Sequence, residues 1–173
     1  MTSTHTEVRS PEHAPQNATV TSAAADPEVS ALVQRATLAH AALMRGDVSH
    51  HRALVSASGD DYTLMAPFGG PPTRGAHYSD ERWESIGRFF KNGRDSTLEL
   101  VRAYRSADMI VLAVIERTHV EVGETPPQDW TLRVTLVFRK EQGQWRLAHR
   151  HADPLAPGIN TEQAAALARG APA

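Results

Sequence analysis

The chain has 173 residues, 40 % of them hydrophobic and 22 % charged, which suits one domain with tails. A formal net charge of -2 provides no field to draw nucleic acid or an anionic membrane, and no apolar run reaches membrane-spanning length. There is no cysteine, which excludes disulfides, thiolate metal sites and cysteine nucleophiles.

Residues 1–26 are rich in Ser, Thr, Ala, Pro and His with few large apolar side chains, and predict a disordered tail. The tail lacks the apolar segment of a secretory signal, so a cytoplasmic location is expected. Asp26-Pro27-Glu28 then opens a helix: Asp caps, Pro suits the first turn and Glu complements the dipole. Val29, Leu32, Val33, Ala36, Ala39, Leu43 and Met44 recur at helical spacing, and Gly46 stops the run. Asp47 caps a second, shorter helix to about Val55. His50 and His51 are adjacent, so on a helix they point in different directions and read as solvated surface residues.

Ser58-Gly59-Asp60-Asp61 is a turn, and Tyr62 to Ala66 reads as a strand ending at Pro67. The stretch Phe68 to Gly75 is too rich in Gly and Pro for regular structure and lacks the glycine spacing and Lys-Ser/Thr ending of a phosphate loop. Ser79-Asp80-Glu81 starts a third helix with Trp83, Ile86, Phe89 and Phe90 on its apolar face, ended by Gly93. Strands follow from Thr97 to Arg105, Met109 to Val122, Trp130 to Lys140 and Gln144 to about Asp153. The run Met109 to Ile115 is continuously apolar, as for a strand buried on both faces. Thr161 to Arg169 makes a short helix or a frayed tail. Helices followed by strands on short connections imply an α+β fold, with a curved antiparallel sheet wrapped around the N-terminal helices and a pocket at its mouth.

Simple alternation along the last strand puts Trp145, Leu147, His149 and His151 on one face. A purely structural face would more often continue with Val or Ile, so His149 and His151 are the candidate acid/base pair. Hydrogen-bonded histidines closing the barrel mouth are the bland alternative. Arg133 sits mid-strand among apolar residues and needs a partner, which is Glu116 or the anionic group of a ligand. Tyr62, Met65, Phe68, Trp83, Phe89, Phe90 and Trp145 can line an apolar cavity or simply fill the core. His77 and Tyr78 fall near the expected mouth. A metal site needs three or four converging ligands, and the spacing offers no such set; neither metal nor cofactor is expected.

Three stretches carry a resemblance: Ala42-Leu43-Met44-Arg45-Gly46-Asp47; Tyr62 to Gly70; and Leu132 to Arg139 with Gly143 to Leu147 and His149-Arg150-His151-Ala152-Asp153. Together they resemble the nuclear transport factor 2-like superfamily, more narrowly its SnoaL-like and ketosteroid-isomerase-like proteins, over about residues 28–155. The resemblance implies a cone-shaped α+β barrel with a deep pocket, commonly a homodimer through the outer sheet face. It implies a domain at 27–155 with a C-terminal tail at 156–173. It also implies a cofactor-independent isomerase, cyclase or dehydratase acting on a small apolar or carboxylate-bearing molecule. A non-catalytic dimeric ligand-binding or adaptor domain is the alternative, because fold does not choose chemistry. The resemblance further suggests Arg133 as the pocket arginine, by likeness to the hub domain of a calcium/calmodulin-dependent kinase. The aspartate base and oxyanion pair of the ketosteroid isomerases, and the Asp-Arg-Asp set of the epoxide hydrolases, have no counterpart that can be placed in this sequence.

Overall fold

The computed structural model describes residues 26–56, 61–74 and 79–170. The expected disordered tail (but for Asp26), the turn at Ser58-Gly59-Asp60, and His77 and Tyr78 lie outside the described residues. The element order is α1 (Pro27–Met44), α2 (Ser49–Leu54), β1 (Thr63–Met65), β2 (Thr73–Arg74), α3 (Asp80–Phe89), β3 (Phe90–Arg105), β4 (Met109–Val122), β5 (Gln128–Glu141), β6 (Gln144–Pro154) and α4 (Thr161–Ala168). The six strands form one curved, unclosed sheet in the order β2-β1-β6-β5-β4-β3, with α1 against β3 and β4. No helix among the described residues is long and apolar enough to cross a membrane.

Local chemistry sets the starts of α1 and α3 as the sequence predicts. The Asp26 carboxylate accepts from the backbone N–H groups of Glu28 and Val29. The Ser79 hydroxyl accepts from the Arg82 N–H in α3. At α2 the cap position falls on Val48 instead of Asp47, and the Asp47 carboxylate accepts from the Ser49 N–H from one residue further out. Arg105 ties β3 to the head of α1 through Asp26 and Glu28.

Four details differ from the expectation. The pairing of β1 with β6 is parallel, since Thr63, Leu64 and Met65 run alongside His149, Arg150 and His151. The Gly/Pro stretch contributes the two-residue strand β2, held antiparallel to β1. The third helix stops at Phe89 rather than at Gly93, and β3 begins at once. Gly93 lies inside β3, where an added Cβ would fall 2.4 Å from the Met44 carbonyl oxygen, so its role is a close crossing of strand and helix end. Finally, β4 is buried on one face only. Ile110, Leu112, Val114, Glu116, Thr118 and Val120 point inward, whereas Val111, Ala113 and Ile115 are half-exposed on the other face.

The main core joins α1, Tyr62 and Trp83 to the inner faces of β4, β5 and β6. One residue controls the phase of β6. Phe138 pairs with Leu147, but Val137 pairs with His149, so Ala148 is an extra residue in the ladder. Trp145 and Leu147 point inward, and beyond the bulge it is Arg150 and Ala152 that share their face, packed opposite Leu136 and Val134. Deleting Ala148 removes the bulge without changing which side chains face inward. The deleted chain is therefore expected to fold, with cooperative urea unfolding. Deleting Thr135 from β5 slips half a strand by one residue and turns its apolar set outward, which is expected to abolish the cooperative transition.

Candidate functional site

Glu116 is the centre of a buried charged cluster beneath the sheet. It sits on the inner face of β4, where the alternation of Ile110, Leu112 and Val114 would otherwise continue. Arg150 reaches it from β6 with a two-pronged contact: Nη1 donates to Oε1 and Nη2 to Oε2, both at 2.8 Å. From α1, His40 places Nδ1 3.4 Å from Oε2. Both His40 and Glu116 side chains are about 95 % buried, with 5 % and 4 % of their surface exposed. The other imidazole nitrogen of His40, Nε2, is buried without a hydrogen-bond partner.

The protonation of the cluster follows from its surroundings. Burial by itself raises the Glu116 pKa, but Arg150 and His40 outweigh it and hold the carboxyl at about 2. Burial also opposes charge on Arg150, and Glu116 again wins, raising its pKa. Burial lowers the pKa of His40, with Glu116 opposing, Arg150 adding to the shift and an interaction of the ring with the Arg117 backbone carbonyl also opposing. His51 on α2 is lowered to about 4 by burial, then by repulsion from Arg150, with Glu116 acting against. Near neutral pH the cluster therefore holds one carboxylate, one guanidinium and two neutral imidazoles.

A cavity of about 350 Å³ opens beside this cluster. Its walls are mostly apolar, among them Leu64, Phe68, Trp83, Ile86, Phe89 and Trp130. His51, Tyr62 and Arg150 also line it. Its charged lining among the described residues consists of Arg82 and Arg150, with no carboxylate. His51 and Arg150 additionally border a small compartment of about 20 Å³ shared with His40 and Glu116, so they form the partition between cavity and cluster. A hollow of about 530 Å³ near Arg45, Arg88 and Lys91 is a shallow surface groove that shares Trp83 and Phe90 with the cavity but none of His51, Tyr62 and Arg150.

The predicted site residues divide accordingly. Tyr62, Phe68 and Trp83 line the cavity, and Glu116 lies behind its wall. Trp145 belongs to the core, its indole N–H donating to Glu28 at 3.0 Å, and Met65 is 39 % exposed. His149 and His151 lie on the opposite sheet face from Trp145 and Leu147, because the bulge at Ala148 reverses the phase. His149 Nδ1 is 2.7 Å from the Thr63 hydroxyl, and His151 Nε2 is 3.4 Å from Asp153. Burial, then His151, lowers the pKa of His149. Neither imidazole lines the cavity. The expected Arg133–Glu116 pair does not form: Arg133 projects outward with its side chain 66 % exposed and its Nε 3.6 Å from Asp153. Arg150, His40 and His51 occupy the positions that the sequence reading gave to others. His51, read as solvated, is partly enclosed and lies 6.2 Å from Trp83 between ring centroids. Among the described residues no cluster of three or more His, Asp or Glu side chains could hold a metal ion.

The profile of the SnoaL-like domain matches residues 32–157. No curated protein matches the sequence. Several solved structures do. A nuclear transport factor 2-like superfamily protein from Salmonella enterica is 16 % identical with a TM-score of 0.60, over 77 % of this chain and 94 % of its own. A candidate dehydratase of the same family from Streptomyces avermitilis is 20 % identical with a TM-score of 0.59, over 75 % and 97 %. A candidate calcium/calmodulin-dependent protein kinase type II association domain from Thiobacillus denitrificans is 24 % identical with a TM-score of 0.53, over 75 % and 95 %. At these identities the likeness is one of fold. With its curved sheet, its N-terminal helices and a profile match that spans most of the chain, this protein belongs to the SnoaL-like domain family.

Proposed function

We propose that the chain is an acid/base enzyme of the isomerase, cyclase or dehydratase type, acting on a small apolar molecule that carries a carboxylate or develops an oxyanion. The observation that carries this reading is the apolar cavity of about 350 Å³ with His51, Tyr62 and Arg150 on its lining and no carboxylate among its described walls. His51 is neutral near pH 7, so one of its ring nitrogens offers a lone pair for a proton. Glu116 uses one N–H from each terminal nitrogen of Arg150, which leaves other guanidinium N–H groups for a ligand oxygen. The mostly apolar walls lower the local dielectric and strengthen that contact.

A thermal-shift screen of aromatic and polycyclic compounds, each with and without a carboxylate, tests the reading. At about 100 times its Kd a bound compound stabilises by about 2.7 kcal/mol, a clear rise in Tm. Ile86→Trp, which fills the cavity, is expected to remove the rise, and His149→Ala to leave it intact. A rise that survives Ile86→Trp places the ligand elsewhere and refutes the assignment.

A second reading, a dimeric binding domain, draws on the outer sheet face. Val111 and Ala113 of β4 pair with Val137 and Thr135 of β5 there, all half-exposed. A homodimer through this face is proposed as compatible with either chemistry. Val137→Glu is expected to halve the mass found by analytical ultracentrifugation; a monomeric native chain rules the dimer out.

A further inference from the structure

We infer that the small compartment between α1, α2 and the sheet is a one-water site that links His51 to His40 and Glu116 as a proton relay. This rests on the reading of His51 as the proton acceptor of the cavity. The compartment measures about 20 Å³, room for one water and no larger molecule. Its walls include Ala36, Ala39 and Leu136, which offer no side-chain hydrogen bond, but also His40, His51, Glu116 and Arg150. A buried water needs two to four polar partners, and His40, His51, Glu116 and Arg150 are there to supply them.

The unpartnered nitrogen of His40 is the second observation. Its Nδ1 lies 3.4 Å from the Glu116 carboxylate, an acceptor with no proton to give, and that charge favours the hydrogen on Nδ1 and a lone pair on Nε2. That atom is buried and accepts from no protein group, although a buried acceptor left unmet is unfavourable. A water donating to it removes the deficit. His40 stands on the Leu32, Ala36, His40, Met44 stripe of α1, which packs into the core, so the ring is held by helix packing rather than by a loop. Glu116 is held in turn by the two-pronged Arg150 contact.

The relay balances without an external reagent. His51 accepts a proton from the ligand at its cavity-facing nitrogen. Its other N–H passes a proton to the water, and the water passes one to His40 Nε2. The imidazolium so formed lies beside the Glu116 carboxylate, which stabilises it, and the same path run backwards returns the proton to the ligand. His40 and Glu116 are positioning residues in this scheme, since neither touches the ligand.

The test combines a near-atomic-resolution crystal structure of the full chain with nitrogen-15 NMR of its imidazoles. Expected are one ordered water within hydrogen-bond reach of both His51 and His40 Nε2, and His40 as the Nδ1–H tautomer. A compartment with no ordered water, or a proton on His40 Nε2, overturns the proposal. Ala39→Val fills the compartment from α1. It is expected to lose the water and shift the His51 nitrogen resonances while the ligand-dependent Tm rise persists; unchanged His51 resonances overturn the relay. If the variant does not fold, the measurements on the native chain decide alone. A native chain that shows the water and the tautomer but binds none of the screened compounds supports the water site and sinks the cavity reading.

Discussion

Replacing Arg150 with Met is expected to destabilise the chain by about 3–5 kcal/mol at neutral pH, because it strands a buried carboxylate. Met fills much of the arginine volume, so little of the loss comes from packing. Glu116 has 4 % of its side-chain surface exposed and receives both of its strong hydrogen bonds from Arg150. The fall in Tm is roughly 10 °C for a chain of this size. Two controls identify the cause. Arg150→Met with Glu116→Leu removes both charges and is expected to recover most of the loss, since an apolar pair of similar volume often matches a buried ion pair. Lowering the pH is expected to shrink the single-variant deficit, because a stranded Glu116 accepts a proton and becomes neutral. A single variant as stable as the native chain would show that the pair contributes nothing net. Arg133→Met, outside the cluster, is expected to change stability by less than about 1 kcal/mol, as for an exposed pair.

Acid is expected to unfold the protein in two overlapping stages. For His51 the folded pKa, about 4, lies below its ordinary value of 6.5. Between those values the unfolded chain binds the proton and the folded chain does not, so stability falls as pH drops through this window. His40 is shifted in the same direction and adds to the slope. Each proton taken up on unfolding contributes up to about 1.4 kcal/mol per pH unit. For Glu116 the folded pKa is about 2, against an ordinary value of 4.5. Its contribution is complete above 4.5 and is lost as pH falls from there towards 2. Asp26, held down mainly by its hydrogen bond from Arg105 and against the effect of burial, loses stability in the same acid range. Urea unfolding from pH 8 to 4 is the measurement. Stability should be nearly level at the alkaline end and slope downward below about pH 6.5, and His51→Gln should flatten part of that slope. A profile level to pH 5 would contradict the enclosure of the His40 and His51 imidazoles.

Much of the scaffold is legible without coordinates because its causes are local. Asp and Ser favour the cap position before a helical run, and Asp26 and Ser79 accept from the first turns of α1 and α3 here, while Asp47 lies one residue ahead of the α2 cap. The short turns at Ser106-Ala107-Asp108 and Gln142-Gly143 impose antiparallel neighbours, and β3 to β6 obey. His40 also left a signal, four residues beyond Ala36 and eight beyond Leu32 on the buried stripe of α1. The end of α3 was not legible in the same way. Phe89 and Phe90 continue a helical apolar face, yet the chain turns extended at Phe90 so that Gly93 can cross the end of α1.

The sequence by itself determined the α+β class, the order of the main elements, the caps and the apolar faces, since these depend on neighbours a few positions apart. The tertiary structure alone decided which polar side chains face the interior. A single extra residue, Ala148, is invisible as a change in composition but reverses the facing of everything after it in β6. It turns His149 and His151 outward and brings Arg150 in to Glu116, a partner 34 positions away. Partners that distant are chosen by strand register, and register is a property of the assembled sheet.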